Sequence, residues 1–467
     1  MKLTQTLAAV TTVATLLVST QINAAGFAII ENSASGMGNS YAGGAASAED
    51  GSTIWFNPAG MTRLDNEMMV AAHVIMPDAS YTDDGSITAV SMGGTQLDPT
   101  NTERTGEGGQ NALVPNFFWV NEINKDLKMG LGINVPFGLG TNYDDDWVGR
   151  YHGVKSDVMS LNINPSLAYK MGAVSIGLGI NAQYINVDLT SAIDLGTLCV
   201  AQEGSTFPAG YCASIGATPQ GSDGFADLTA SGWGYGYNLG LLYEVSKDIR
   251  VGLSYRSGID HEVDGKADFS VPGQLSFIPE NTGNFLDTSL SAAVTVPETT
   301  SISYFQNISE SIAIMIDYSL TAWSTFDELR IVYDDADTTD SFAAQAPSVT
   351  TEEWEDSARI SIGLNYQATD EWLYRFGIAL DESPIPSAER RTPRIPGNDR
   401  TWISFGVTHQ AEDARSFSFA YAHLTVDNTA INNTFEASAA APVLEHTLTG
   451  NYQASVDIIS AQVSWKY

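Results

Sequence analysis

The chain closes on "DIISAQVSWKY", which places Ile459, Ala461, Val463, Trp465 and Tyr467 on one face and Ser460, Gln462, Ser464 and Lys466 on the other. The same alternation runs through "ARISIGLNYQ", where Ile360, Ile362, Leu364 and Tyr366 oppose Arg359, Ser361, Gly363 and Asn365. In "WLYRFGIALD", Trp372, Tyr374, Phe376, Ile378 and Leu380 oppose Arg375, Gly377 and Asp381. A period of two with one wet face predicts half-buried antiparallel strands. A soluble sandwich would turn the apolar face to a core. Here the polar face carries arginines and the apolar face ends in aromatics, which fits strands with lipid outside and a polar lumen inside.

The connections point the same way. Six short joints, "NEINKD", "YKMGA", "EVSKDI", "NISES", "QATDE" and "AEDAR", alternate with seven long segments near 82–109, 140–156, 191–226, 264–285, 331–356, 382–399 and 428–452. Six tight turns and seven long loops make fourteen strands, and alternating short and long connections are the habit of outer-membrane barrels. The expected fold is an all-β, 14-stranded antiparallel transmembrane barrel over 65–467. Its sheet must close on itself, because lipid offers no partner to an open edge. About eight strands make a barrel that side chains alone can fill, so a fourteen-stranded lumen needs a plug or a lining.

Two N-terminal segments do not read as strands. Lys2 followed by an apolar run from Leu7 to Val18 and by "INAAGF" predicts a secretory signal peptide over 1–24, cut between Ala24 and Ala25. Residues 25–64 are rich in Gly, Ala and Ser and include the Asn-Pro turn "FNPAGM". A disordered leader is one reading, since termini often behave so. The large apolar residues Phe27, Ile29, Ile30, Met37, Trp55 and Phe56 favour the other, a hatch packed inside the barrel.

Charge and cysteines narrow the partners. With 21 basic and 55 acidic residues the net charge is -34, which excludes nucleic acid as a partner. The acidic segments "YDDDW" and "YDDADTTD" lack the spacing of a calcium loop, and no metal or other cofactor is implied. Cys199 and Cys212 share one loop; an exported chain favours a disulfide between them, against two unpaired thiols. The six histidines are scattered and no GxSxG, HExxH or Cys/His arrangement occurs, so nothing marks an enzyme.

One strand is damaged. "LKMGLGINV" alternates cleanly, then "PFGLGTNY" interrupts it at Pro136, Phe137 and Gly138. Proline deletes a ladder donor and glycine permits a bend. The strand either ends there at its outer rim, where proline is tolerated, or kinks in mid-course.

At this point the residues resemble a known family. "AGF" at the mature start, "SASGMGNSYAGGAASAEDGSTIWFNPAGM", "YRS", "AWSTFDEL", "ARISIGLNY" and "IALDESPIPSAERRTPRIPGNDRTWIS", in that order from Ala25 to Tyr467, are similar to the outer-membrane long-chain fatty-acid transporters of the FadL/TodX type. The resemblance implies a monomeric barrel of the Gram-negative outer membrane. It implies passive passage of hydrophobic molecules, foremost long-chain fatty acids and alternatively aromatic or aliphatic hydrocarbons, into the surrounding lipid and lipopolysaccharide. It implies a hatch motif at Asn57, Pro58 and Ala59, and a lateral gate at Pro136, Phe137 and Gly138 where the third strand kinks inward. It places Phe27 and Leu189 beside the bound tail and Arg330 at the carboxylate, with a rim ion pair as the other reading of Arg330. A second family arginine falls at Ser191, which weakens the case for tight carboxylate binding and keeps neutral hydrocarbons open. The rivals are a general porin with an open lumen and a barrel enzyme; an adhesin or phage-receptor role could coexist through the long loops.

Overall fold

The computed structural model describes residues 26–88, 104–334, 345–412, 414–435 and 444–467. The expected signal peptide and Ala25 lie outside the described residues. Fourteen antiparallel strands form one closed barrel. They are β1 (Glu67–Asp83), β2 (Ala112–Asn124), β3 (Leu127–Asn134 and Gly138–Asn142), β4 (Lys155–Met171), β5 (Val174–Ile193), β6 (Gly224–Glu244), β7 (Ile249–Arg256 and Ile259–Ser270), β8 (Thr288–Val296 and Thr299–Asn307), β9 (Ile312–Thr321 and Glu328–Tyr333), β10 (Ser357–Gln367), β11 (Trp372–Asp381), β12 (Arg400–Gln410), β13 (Arg415–Val426 and Thr429–Thr434) and β14 (His446–Lys466). Closure is made by β1 and β14, paired from Glu67 opposite Lys466 to Asp83 opposite Gly450. No edge is left to face lipid at this seam, which is the condition for a sheet in hydrocarbon.

Alternation sorts the side chains inside out relative to a soluble protein. On β4 and β5, Leu167, Tyr169, Ile176, Leu178 and Ile180 are exposed outward, while Asn162, Asn164, Asn181 and Gln183 are buried inward. The inward amides bond to one another through their Nδ2 groups: Asn162 Nδ2 donates to Asn134 Oδ1 at 3.0 Å and Asn164 Nδ2 to Asn238 Oδ1 at 2.9 Å. A buried amide without such a partner costs about 1–3 kcal/mol, so the polar lumen stabilises the barrel only as a connected network.

Residues 26–64 run inside the barrel as short helical turns, Ala34–Met37, Gly44–Ser47, Thr53–Phe56 and the 3₁₀ turn Pro58–Arg63. Ser33 Oγ caps the first by accepting from Gly36 N at 3.1 Å, and Asn57 Oδ1 caps the last by accepting from Ala59 N at 3.0 Å. Small residues let this segment lie against the wall. A Cβ at Gly177 would strike the backbone of Pro58 and Ala59, one at Gly252 the carbonyl of Ala45, and one at Gly377 the backbone of Asn39. Inward arginines hold its carbonyls: Arg250 Nε donates to Ala46 O at 3.0 Å, Arg359 Nη2 to Ser40 O at 3.0 Å and Arg256 Nη2 to Trp55 O at 2.6 Å. The outer loop between β5 and β6 carries the Cys199–Cys212 disulfide, with Cα atoms 6.1 Å apart.

Candidate functional site: a fault in the wall below an apolar cavity

Below Asn134, β3 is bonded on both flanks. It pairs with β2 from Leu127 opposite Asn124 to Ile133 opposite Phe117, and with β4 from Leu127 opposite Tyr169 to Asn134 opposite Asn162. Above the break it keeps only β4, from Gly138 opposite Met159 to Asn142 opposite Lys155. On the other side, Ala112 to Asn116 of β2 pair with β1 but not with β3. The two strands meet again at a single bridge, Gly109 to Thr141, and at Asn142 N, which donates to Gly108 O at 3.1 Å. Between Phe117 and Gly109 the wall therefore has no β2–β3 ladder. The interruption is a mid-course break and not the end of a strand, because β3 resumes above it.

The N-terminal segment covers the fault from inside. Ala28 bridges Phe137, with Ile29 N donating to Pro136 O at 2.8 Å and Gly138 N to Phe27 O at 3.0 Å. On the lower edge Asn134 Nδ2 donates to Asn32 Oδ1 at 2.8 Å, and from the β2 side Asn116 Nδ2 donates to Glu31 O at 2.7 Å. Phe137 itself is held by Ser160 of β4, whose Oγ accepts from Phe137 N at 2.9 Å and whose backbone N donates to Phe137 O at 3.1 Å. A Cβ at Gly138 would stand 2.6 Å from Ile29 Cδ1, so the tip of that side chain would have to shift to admit one. Glu31 is buried, and that burial raises its pKa to about 6.

Phe27 is the hub of an aromatic cluster, with ring centroids 5.0 Å from Trp323, 5.8 Å from Phe137, 5.9 Å from Phe326 and 6.1 Å from Trp354. Trp323 and Phe326 come from a second interruption. Between Thr321 and Glu328, β9 bends inward, and Ala293 to Val296 of β8 lose their β9 partners. That bend is made by the wall strand itself, and Ala322 N still donates to Glu298 O of β8 at 3.0 Å. The two interruptions face each other across Phe27.

Phe27 also borders a cavity of about 460 Å³, lined by Leu139, Val187, Leu189, Leu228, Ile331 and Tyr333 among others. Leu189 and Phe27, named from the sequence, thus share one apolar chamber. Arg330 lies off the chamber. On the upper piece of β9 the alternation turns Leu329, Ile331 and Tyr333 to the chamber and Arg330 to the opposite face, where its Nε donates to Glu328 Oε1 at 2.7 Å. The rim ion pair is the arrangement observed. Ser191 does line the chamber. Asn57, Pro58 and Ala59 are remote from the fault and tie the segment to β6, Asn57 Nδ2 donating to Leu241 O at 3.0 Å.

Sequence reasoning missed three things: the partners Ser160, Asn116 and Asn134 at the fault, the Trp323–Phe326 bend, and Arg394, which enters the chamber from the β11–β12 connection. Only the bend left a trace, in the apolar residues of "AWSTFDEL".

Comparison with known proteins places this arrangement. The family described as "Outer membrane protein transport protein (OMPP1/FadL/TodX)" matches residues 15–467. The long-chain fatty acid transport protein of Escherichia coli strain K12 is 33% identical over 435 residues, covering 90% of this chain and 92% of that one. A crystal structure of a Pseudomonas aeruginosa FadL homologue superposes with a TM-score of 0.82 at 20% identity, covering 94% of this chain and 99% of that one. The Pseudomonas putida toluene transporter TodX superposes with a TM-score of 0.64 at 16% identity over 96% and 99%.

Proposed function

This chain belongs to the OMPP1/FadL/TodX family of outer-membrane transport proteins, and from that premise we propose that it takes up long-chain fatty acids by lateral release through the β2–β3 fault. It is a protein of the Gram-negative outer membrane and a passive transporter, not an enzyme. The proposed path runs from the outer loops into the chamber above Phe27, past a displaced residue 26–32 segment, and out between Asn116 and Gly138 into lipid.

The observation that carries this reading is the nature of the seal. At β2–β3 the gap is covered by the N-terminal segment, through bonds from Pro136, Gly138, Asn116 and Asn134. That segment can withdraw while every barrel strand stays in place. At β8–β9 the cover is β9 itself, so opening there would unpair the wall. The energetics favour a sideways exit. A tail gains about 0.8 kcal/mol per methylene in an apolar phase, so release into water below would forfeit most of that gain. The hatch occupying the lower lumen disfavours a general porin. The aromatic cluster around Phe27 supports a second reading, uptake of aromatic or aliphatic hydrocarbons by the same path. A monomer suffices, since the chamber and the fault belong to one chain, and the receiving partners are the surrounding lipid and lipopolysaccharide.

The test is Gly138→Trp, which fills the fault where Ile29 now sits. Uptake of radiolabelled oleate into cells should fall at least tenfold while the barrel keeps its heat-modifiable gel migration. Unchanged uptake by a folded variant rejects lateral release at this position.

A further inference from the structure

One corner of the chamber is polar and has no part in the path above. Arg394 lies half-buried there. Its Nη1 donates to Lys155 O at 2.8 Å and to Ser156 Oγ at 3.0 Å, and its Nη2 to Thr190 O at 3.3 Å. All three acceptors are neutral. Glu352, also on the chamber wall, acts on the guanidinium through space but spends its Oε2 on the Trp354 indole N–H at 2.9 Å. Burial lowers the Arg394 pKa to about 10, which leaves it cationic at neutral pH.

His152, from the β3–β4 connection, stands on the same chamber, more than nine-tenths buried and near enough for the Arg394 cation to act on it. Its hydrogen-bond roles can be assigned. Asn433 Nδ2 donates to Glu389 O at 2.7 Å, so Asn433 Oδ1 is the acceptor 3.0 Å from His152 Nδ1. The ring proton therefore sits on Nδ1 and the lone pair on Nε2. Burial lowers the His152 pKa to about 3, so the ring is neutral. Among the described residues its Nε2 has no hydrogen-bond partner. A buried acceptor left so is unfavourable, and an incoming donor would recover that cost.

We propose that this corner binds the head of the cargo, and that the head must accept from Arg394 and donate to His152 Nε2: a carboxyl holding its proton, or a hydroxyl, on a long apolar tail lying along Leu189, Leu228 and Ile331. No bond is made or broken; the head's proton stays on its oxygen and is shared with the ring. The proposal rests on the reading of the chamber as the cargo site and supplies the polar contact that Arg330, on the outer face, does not. It makes a prediction that simple carboxylate capture does not, namely that a fatty alcohol is recognised as an acid is, and a methyl ester is not.

The test uses the full-length barrel in detergent and displacement of tritiated palmitic acid by palmitic acid, 1-hexadecanol, methyl palmitate and n-hexadecane. Acid and alcohol should bind about tenfold or more tightly than the ester. Arg394→Met should weaken acid and alcohol about tenfold and leave n-hexadecane unchanged, with Arg394→Lys recovering part of the loss. His152→Leu should weaken acid and alcohol but not the ester. An ester that binds as well as the alcohol, or an acid-to-ester ratio untouched in His152→Leu, overturns the proposal. If the wild-type barrel binds none of the four, n-hexadecane included, the chamber is not the cargo site and the underlying reading falls with it.

Discussion

The wall between β5 and β6 and the wall between β2 and β3 are made of the same kind of residues and behave in opposite ways. The first is paired without interruption from Val174 opposite Tyr243 to Ile193 opposite Gly224. The second loses its ladder above Phe117 and Ile133. In the first wall the ladder is complete; the N-terminal segment packs on it at Gly177 and Gly240 and adds a bond of its own, Asn57 Nδ2 donating to Leu241 O. In the second, the N-terminal segment bonds the backbone of the β3 edge at Pro136 O and Gly138 N and the Asn116 side chain of β2. A membrane sheet can carry a break if a segment from elsewhere in the chain stands behind it and bonds its edge, because the requirement in lipid is that backbone groups be paired, not that they be paired within the sheet.

The comparison can be broken at the seal. Phe27→Ala removes the hub of the aromatic cluster, a buried truncation worth about 3–5 kcal/mol. Because Phe27 belongs to the N-terminal segment and carries no rung of the barrel ladder, the loss should appear as faster hydrogen exchange of residues 27–32 with little change in barrel unfolding. Equal losses at β5 and β6 would mean that hatch and barrel are one cooperative unit. The continuous wall should answer the opposite probe. Ile180→Arg sets a charge on the lipid face, where Ile180 is 59% exposed, and should destabilise the barrel by about 2–4 kcal/mol in urea unfolding from bilayers. The hatch should be unaffected.

Two smaller effects sharpen the contrast. Ser160→Ala strands the amide of Phe137, and about 1–3 kcal/mol of local stability should be lost at the fault alone, read by exchange at Phe137. The last is a pH effect. Burial raises the Glu31 pKa from 4.5 to about 6, so the docked segment holds its proton more firmly than a released one. Docking is therefore favoured below about pH 4.5 and loses that contribution as pH rises through 6. Protection of residues 27–32 should be greater at pH 5 than at pH 7.5, and Glu31→Gln should abolish the difference.

Much of this molecule is legible along the chain. Strand period, the parity of short and long connections and the aromatic terminus are local properties, and each follows from the need of a barrel strand to present lipid on one side and water on the other. Inward glycines such as Gly363 and Gly377 also stand on polar faces in the string, though their meaning as seats for the N-terminal segment does not show there. The fault was half legible: Pro136 and Gly138 announce a break, yet both a rim and a kink fit the string.

Only the fold decided what the break is. Asn116, Asn134, Ser160 and Ile29 lie far apart in the chain and meet at Pro136–Gly138 because closure brings β2, β3, β4 and the N-terminus to one place. The same holds for the chamber. Sequence matching put a cation at Arg330, but the pleat of β9 turns it outward, while a loop from between β11 and β12 brings Arg394 in beside His152. Strand character is written in neighbouring residues, because period two is a property of the extended backbone. Which side chains share a lumen depends on register and loop path, and these are fixed only when the sheet closes.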